Sequence, residues 1–272
     1  MSNTDRALSF YTDATFDREA WFRITAVDYH RLLEAVDFSA LLDCGRPTTD
    51  VLDVGCGTGK FPALLQPRLS PRPQVSLSLL DPNPYCLEQT AARLRSPLRA
   101  AAQLAVTAET LDPSLLGAAS LDVIWAIQSF YYIPPTALPS VIARLVGLLR
   151  PGGVLLVFLA SEDSSYRRIS DVGRLLYPEQ PATPYTYAEP VAAAMAGCAS
   201  GTFSRSSFSV EHVVRSDGDL EAYLSQNLLV PTPLSAWRAH PGAAAWLAGH
   251  RRGGEYVFPQ VLQVLSLRAD PQ

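Results

Sequence analysis

The stretch VLDVGCGTGK, residues 51–60, decides the fold. VLDV has the composition of a short buried strand, and glycines follow it at positions 55, 57 and 59. Glycine adopts positive φ without steric penalty and lets a ligand approach the backbone, because it lacks a Cβ. A strand that ends in such a turn and continues as a helix is typical of α/β domains that bind nucleotides or nucleosides.

Two nucleotide-binding motifs do not fit this spacing. A phosphate-binding P-loop requires a glycine where Val54 stands, and a serine or threonine after Lys60, where Phe61 stands. The dinucleotide fingerprint, G-x-G-x-x-G, fits weakly because Lys60 occupies the place of its third glycine. The turn G-x-G-x-G therefore belongs to a third class, unless it is only a structural turn.

Further short apolar runs follow this turn along the chain. We predict strands at 51–55, 75–81, 104–107, 121–127, 154–160, 208–214 and 256–267. Helices are predicted at 60–69, 84–95, 136–149 and 217–227. Strands that alternate with helices indicate βαβ units and a parallel sheet covered on both faces. The sequence thus predicts an α/β, Rossmann-like fold with a seven-stranded, mostly parallel sheet.

The chain divides into four predicted segments. Apolar residues recur at helical spacing between Asp17 and Val36 and predict an N-terminal helical cover within 1–46. The core spans 47–160, an insertion rich in proline and tyrosine spans 161–207, and the last strands with a helical excursion span 208–272.

Composition excludes several classes of function. The 272 residues contain 22 Lys and Arg against 26 Asp and Glu, for a net charge of −4, with no basic block to bind nucleic acid. Apolar stretches stay below the roughly 18 residues that span a membrane, and the polar start lacks a signal-peptide pattern. The histidines are scattered, so we expect no metal site. We expect a cytoplasmic monomer.

VLDVGCGTG (51–59) resembles motif I of class I S-adenosylmethionine-dependent methyltransferases. Three later features agree in order: Asp81 at the end of LSLLD, the triplet AET at 108–110, and LLRPGGVLLVF at 148–158. The resemblance implies that Asp81 accepts hydrogen bonds from the ribose hydroxyls, as carboxylates at this position do. Asp81 is alternatively, or additionally, the N-cap of the following helix. The implied cofactor-binding residues are Asp53, Gly55, Cys56, Gly57, Gly59, Asp81, Pro82, Glu109, Thr110 and Ile127.

A narrower resemblance covers nearly the whole chain. The runs LDVIWAIQSFYYI (121–133), SEDSSYRRISDVG (161–173) and EYVFPQVLQVLSL (255–267) are similar to the histamine N-methyltransferase family. The family's amine-holding acid, glutamine and asparagine correspond here to Asp17, Gln128 and Gln260. Because Asp17 replaces a glutamate and Gln260 replaces an asparagine, histamine itself is left open. Asp17 is alternatively a helix cap, and Gln260 alternatively a core residue.

Aromatic residues follow the predicted fourth strand. Tyr131, Tyr132 and Tyr166 are predicted to contact the substrate, and Phe130 is assigned either to that contact or to the core. We predict N-methylation of a small amine or heteroaromatic nitrogen, with S-adenosylhomocysteine as the second product. O- or C-methylation of a specialised metabolite is an alternative because a fold does not name its acceptor. A non-catalytic protein that binds the cofactor is another alternative.

Overall fold

The computed structural model describes residues 18–178, 185–198 and 201–270. The α-helices are α1 (Arg18–Ala35), α2 (Phe38–Leu42), α3 (Lys60–Leu65), α4 (Pro84–Arg93), α5 (Leu138–Val146), α6 (Ser165–Leu176), α7 (Ala188–Ala196), α8 (Asp217–Leu228), α9 (Leu234–Ala239) and α10 (Pro241–Gly249). The strands are β1 (Thr48–Val54), β2 (Gln74–Leu80), β3 (Leu98–Leu104), β4 (Leu121–Ile127), β5 (Leu149–Ala160), β6 (Gly201–Val214), β7 (Arg251–Arg252) and β8 (Glu255–Ala269).

The strands form one sheet in the order β3-β2-β1-β4-β5-β8-β6, and β7 pairs antiparallel with β8. The first five strands of this order are parallel, with register pairs such as Val54↔Leu80 and Ile127↔Phe158. The strand β8 runs antiparallel to β5, because Ser161 bonds to Val261 whereas Arg268 bonds to Gly152. The predicted α/β fold is confirmed, and the two-residue β7 is added to the seven predicted strands.

The chain separates into two compact units. Among the described residues, unit 1 comprises 18–28, 160–178 and 208–262. Unit 2 comprises 29–159, 185–198, 201–207 and 263–270. The glycine turn belongs to unit 2.

The core of unit 2 follows from the apolar runs of its strands. All seven residues of β4 are buried, as expected for a central parallel strand covered on both faces. Trp125 is fully buried and meets the rings of Phe38 and Phe61 edge-on, at centroid distances of 6.3 and 5.7 Å. The amphipathic helix α5 buries its apolar side chains in the same unit. Burial of each large side chain stabilises the fold by roughly 1.5–3 kcal/mol.

A buried carboxylate joins the beginnings of three strands in unit 2. Asp122, only 7% exposed, accepts a hydrogen bond from the backbone N–H of Asp50 at 2.8 Å. It also forms ion pairs with Arg46 and, at 3.1 Å, with Arg150. A carboxylate with several charge-assisted partners can be buried without a large penalty, so this contact ties β1, β4 and β5 together.

Unit 1 has its own core, formed by residues of α1, α6, α8, α9, α10, β6 and β8. Tyr223, Trp237 and Phe258 are fully buried there. Gly173 on α6 lies against Leu228 on α8, and a Cβ at position 173 would be 2.3 Å from a methyl carbon of Leu228. The close approach of these two helices therefore depends on the absence of a side chain at 173.

The prediction was wrong about two strands. The third strand lies at Leu98–Leu104, not at 104–107, and β6 begins at Gly201, not at 208. Both are edge strands with mostly exposed residues, LRAAAQL and GTFSRSS, so neither carries the apolar run that marked the central strands. The helix predicted at 60–69 ends at Leu65 and continues as a 3₁₀ turn, Gln66–Arg68.

Candidate active site

The three glycines of the turn have positive φ angles of 71°, 53° and 76° at positions 55, 57 and 59. A Cβ on Gly55 would lie 2.4 Å from the Cβ of Ser129, and a Cβ on Gly59 would lie 2.9 Å from the Cα of Thr90. A Cβ on Gly57 would meet no atom within 4 Å. Packing therefore requires Gly55 and Gly59, whereas Gly57 faces space that a ligand can occupy.

Side chains from α4 and from the end of β2 hold this turn at Gly57. The N–H of Gly57 donates to Oδ2 of Asp81 at 2.9 Å, and its carbonyl accepts from the hydroxyl of Thr90 at 2.8 Å. The other carboxylate oxygen of Asp81 accepts from the N–H of Asn83 at 2.9 Å. Asn83 is the N-cap of α4, so the alternative role of Asp81 as that cap is wrong.

Two carboxylates of the site have raised pKa values. Burial raises the pKa of Asp81, against the N–H groups of Asn83 and Gly57, which lower it. Burial is the main cause that raises the pKa of Asp53 from 3.8 to about 7, and the negative charge of Asp81 raises it further. A polar contact with the Trp125 side chain acts in the opposite direction and lowers this pKa. Oδ2 of Asp53 is buried without a hydrogen-bond partner among the described residues. A donor on a bound ligand is one way to satisfy such an oxygen.

The raised pKa of Asp53 predicts a stability that falls with rising pH. Below pH 3.8 the carboxyl is protonated in both the folded and the unfolded state. Between pH 3.8 and about 7 only the folded state keeps the proton, so the free energy of unfolding decreases as the pH rises through this window. The total loss is on the order of 4 kcal/mol, at about 1.4 kcal/mol per pH unit.

Asp53→Asn removes this titration. Urea unfolding between pH 4 and pH 8 should show a flatter profile for Asp53→Asn than for the wild type, and a more stable variant at pH 8. The control is Asp112→Asn, since Asp112 is exposed and its pKa is lowered by Ser114. Parallel profiles for the wild type and Asp53→Asn would show that Asp53 is ionised in the fold.

The loop after β3 carries the predicted adenine contacts. Ala108 is buried, Glu109 is half-buried and Thr110 is exposed. The loop closes on itself through the N–H of Thr110, which donates to the carbonyl of Thr107 at 3.2 Å. Arg144 of α5 donates to the carbonyl oxygens of Ala108 and Glu109 at 3.0 and 2.9 Å. Arg144 was not predicted from the sequence, because nothing in the helical pattern of α5 pairs it with a loop more than 30 residues earlier.

Gln128 follows β4 directly and has a positive φ of 54°, which is uncommon for a residue other than glycine. Its N–H donates to the carbonyl of Phe158 at 2.8 Å, and its side-chain oxygen accepts from the hydroxyl of Tyr131. Ser129 donates to the carbonyl of Val54 at 2.6 Å. These bonds join the end of β4 to the ends of β1 and β5. Backbone strain of this kind occurs often at functional sites.

The aromatic residues after Gln128 divide into two groups. Phe130 is 1% exposed and lies in the core of unit 2, the alternative that the sequence had left open. Tyr131 and Tyr132 are half-buried and both meet Tyr185, at centroid distances of 6.2 and 5.9 Å. Thr186 reinforces this contact, since its N–H donates to the carbonyl of Tyr131 at 2.9 Å. Tyr185, one of the tyrosines of the predicted insertion, was not among the predicted site residues.

Pro82 is half-buried, and Cys56 and Ile127 are 8% and 7% exposed. Together with the glycines, Asp53, Asp81 and Gln128, they lie in unit 2, at or just beyond the carboxyl ends of β1, β2 and β4. In open α/β sheets, ligands bind at this edge. Burial raises the pKa of the Cys56 thiol far above its usual range, which disfavours the nucleophilic thiolate form.

Gln260 and Tyr166 belong to a hydrogen-bonded group in unit 1 that we call the Asp28 network: Asp28, Tyr166, His212, Tyr223 and Gln260. One oxygen of Asp28 lies 2.7 Å from Nε2 of His212, and the other accepts from the Tyr166 hydroxyl at 3.3 Å. Nδ1 of His212 lies 2.9 Å from the hydroxyl of Tyr223, which accepts from the Gln260 amide at 3.0 Å. The Gln260 side-chain oxygen accepts from the Tyr166 N–H at 3.4 Å.

One arrangement of hydrogens satisfies the whole network. In the tautomer with the hydrogen on Nε2, His212 donates to Asp28, and its Nδ1 accepts from the Tyr223 hydroxyl. Each donor then has an acceptor, which explains how Asp28, His212 and Gln260 can be 1%, 0% and 0% exposed. Gln260 thus uses both ends of its amide within the network. Asp17, the third residue predicted to hold the substrate, lies outside the described residues.

The site can now be compared with known proteins. Residues 52–155 match the family model of a methyltransferase domain. A trans-aconitate 2-methyltransferase from Methylobacterium radiotolerans is 35% identical over 106 residues, which cover 39% of this chain and 36% of that protein. A protein of the same name from Deinococcus radiodurans is 33% identical over 140 residues, 51% of this chain and 48% of that protein. The chain thus spans about half or less of the curated relatives that it matches.

A solved structure extends the comparison to the whole chain. The N-methyltransferase NodS from Bradyrhizobium japonicum, in complex with S-adenosylhomocysteine, has a TM-score of 0.55 and 16% sequence identity, and the match covers 98% of this chain and 99% of NodS. The fold is that of a class I methyltransferase. The narrower resemblance to histamine N-methyltransferases stays a prediction.

Residues 18–178, 185–198 and 201–270 contain no group of three or more His, Cys, Asp or Glu side chains that could hold a metal ion. In the same part of the chain, no helix is long and apolar enough to cross a membrane.

Proposed function

We propose that the protein is an S-adenosylmethionine-dependent methyltransferase that acts on a small molecule. The open space next to Gly57 supports this proposal most directly, because it lies beside the buried carboxylate of Asp81. A carboxylate there can accept hydrogen bonds from the two hydroxyls of a ribose. The match of residues 52–155 to a methyltransferase domain supports it independently.

The residues of unit 2 fit such a cofactor. When bound, it supplies an electrophilic methyl group on a sulfonium. We propose that the Gly55–Gly59 turn lies along its amino-acid part, that Asp81 and Pro82 hold the ribose, and that Glu109 and Thr110 contact the adenine. The remaining proposed contacts are made by Asp53, Cys56 and Ile127.

For the acceptor we propose nitrogen of an amine or a heteroaromatic ring, with Gln128 as the residue that orients it. Methyl transfer requires alignment of nucleophile, carbon and sulfur, and orientation alone can lower a barrier by roughly 7–11 kcal/mol. A nitrogen nucleophile must be uncharged at attack, and a neutral amide orients it without raising its pKa as a carboxylate would. Three hydrogen bonds support this role: Phe158 and Tyr131 hold Gln128 in its left-handed conformation, and Thr186 holds the backbone of Tyr131.

A carboxylate oxygen is the second candidate acceptor, favoured by the two relatives named trans-aconitate 2-methyltransferase. A carboxylate is already a competent nucleophile at neutral pH, so its methylation needs no base. A labelling assay distinguishes the two candidate acceptors. The protein is incubated with methyl-labelled cofactor and a panel of amines, phenols and carboxylic acids, and we expect an amine to receive the label. Labelling of carboxylic acids alone would exclude the nitrogen assignment.

The sharpest test of the cofactor site is Gly57→Ala. Gly57 and Gly45 both have positive φ, 53° and 68°, and a Cβ would meet no atom within 4 Å at either position. Both substitutions place an alanine in the left-handed region and should therefore cost a similar amount of stability, of about 1–2 kcal/mol. Only the methyl group at 57 would enter the space proposed for the cofactor. We expect S-adenosylhomocysteine affinity, measured by calorimetry, to fall about 10-fold or more for Gly57→Ala and to stay unchanged for Gly45→Ala.

Equal affinities for the two variants and the wild type would show that the space beside Gly57 is not the cofactor site. Urea unfolding of each variant serves as the folding control.

A further inference from the structure

Arg144 connects α5 to the loop of the proposed adenine contacts. A single guanidinium nitrogen of Arg144 donates to two successive backbone carbonyls, those of Ala108 and Glu109, at 3.0 and 2.9 Å. The side chain is half-buried, and Ala108 is 6% exposed. Hydrogen bonds from a charged donor in a partly dehydrated place are stronger than those between neutral groups.

The two bonds act on the central peptides of a turn that Thr107 and Thr110 close. The threonines at its base, Thr107 and Thr110, bond to each other through backbone and side chains, at 3.1 to 3.3 Å between the closest atoms. Leu111 is 2% exposed and anchors the far end in the core. The peptides of Ala108 and Glu109 lie between these supports, and Arg144 fixes the direction of both carbonyls.

We propose that Arg144 is a positioning residue that sets selectivity for adenine. This inference rests on the proposed function, which assigns Glu109 to the adenine. With both carbonyls engaged by the guanidinium, the loop offers the Glu109 carboxylate as its strong acceptor. A carboxylate accepts from the 6-amino group of adenine and repels the 6-oxo group of hypoxanthine. Arg144 holds the peptide of Glu109 in the orientation that this recognition needs.

The test measures binding rather than turnover. Calorimetry compares S-adenosylhomocysteine with S-inosylhomocysteine, which carries hypoxanthine, for the wild type, Arg144→Met and Arg144→Lys. The wild type should favour the adenine ligand. Arg144→Met should lower the adenine affinity by roughly 10-fold, as expected for loss of a charge-assisted contact, and should leave the affinity for the hypoxanthine ligand nearly unchanged. Arg144→Lys restores a charged donor and should restore part of the selectivity.

Arg95→Met is the matched control. One guanidinium nitrogen of Arg95 also donates to two backbone carbonyls, those of Ala92 and Leu94, both at 2.7 Å. Those carbonyls lie at the end of α4, outside the proposed adenine loop. Arg95→Met removes the same kind of contact away from the adenine loop, so it should leave the ratio of the two affinities at its wild-type value.

The outcomes separate this inference from the function on which it rests. If Arg144→Met leaves the ratio of the two affinities unchanged, whether or not both affinities fall, the role of Arg144 is overturned and the cofactor assignment stays intact. Failure of the wild type to bind either ligand would overturn the proposed function and the inference with it. If Arg144→Met does not fold, Glu109→Gln takes its place, because removal of the carboxylate charge should abolish the same selectivity. An unchanged ratio for Glu109→Gln overturns the inference equally.

Discussion

Asp81→Ala should weaken the binding of S-adenosylhomocysteine by about 100-fold or more, since hydrogen bonds to a charged group contribute roughly 1.5–3 kcal/mol each. The loss has two origins. The proposed ribose hydroxyls lose their acceptor, and the Gly57 N–H loses the carboxylate oxygen that holds it at 2.9 Å. The glycine turn itself should therefore become less ordered. Calorimetry gives the affinity, and hydrogen exchange at Gly57 reports on the turn.

Asp112→Ala is the control for this experiment, because Asp112 is an exposed aspartate of unit 2 that caps a 3₁₀ turn. The pH dependence gives an independent check. Burial raises the pKa of Asp81, so this carboxylate takes up its proton at a higher pH than an exposed aspartate would. As the pH is lowered, the wild-type affinity for S-adenosylhomocysteine should therefore begin to fall at that higher pH. Asp81→Ala should lack that part of the pH dependence. An affinity that Asp81→Ala leaves intact would place the ribose elsewhere.

The sequence could predict the fold because the deciding elements carry local signals. VLDVGCGTGK combines a buried strand, a turn that needs positive φ and a helix start, and all three are present at 48–65. The central strand β4 is an unbroken apolar run for a simple reason, namely that helices cover both faces of the sheet. The edge strand β3 was misplaced because LRAAAQL lies with most of its residues in solvent and so has no such pattern.

The candidate site was only partly predictable for a related reason. Gly57, Asp81 and Gln128 follow strand ends, so the topology of a parallel sheet places them at one edge. Arg144 and the Asp28 network depend on contacts between residues far apart in the chain: Asp28 and His212 are separated by 184 positions. No periodicity or motif in a single sequence encodes such a contact. Burial of a lone histidine and a lone aspartate becomes visible only when the fold pairs them.

Asp28→Ala should lower the free energy of unfolding by about 1–3 kcal/mol, the cost of leaving a buried hydrogen-bond donor without its acceptor. The cost arises because the Nε2–H of His212 would keep no acceptor at a position that is 0% exposed. The Tyr166 hydroxyl would lose its acceptor as well. Tryptophan fluorescence is a suitable probe, since Trp21, Trp237 and Trp246 lie in unit 1 and only Trp125 lies in unit 2.

Tyr166→Phe is the matched control, because it removes one half-buried hydroxyl from the same carboxylate and should cost only about 0.5–1.5 kcal/mol. A double substitution tests whether the network acts as one unit. Asp28 and Tyr223 both bond to His212, and a second series of hydrogen bonds joins them through Tyr166 and Gln260, so their effects can couple. Once Asp28 is gone, His212 has no acceptor that fixes its tautomer and position, so its bond to Tyr223 should weaken and Tyr223→Phe should then cost less than it does alone. Additive costs would mean that His212 keeps its tautomer without Asp28, and that the direction of the hydrogen bonds is set by Gln260 and Tyr223 instead.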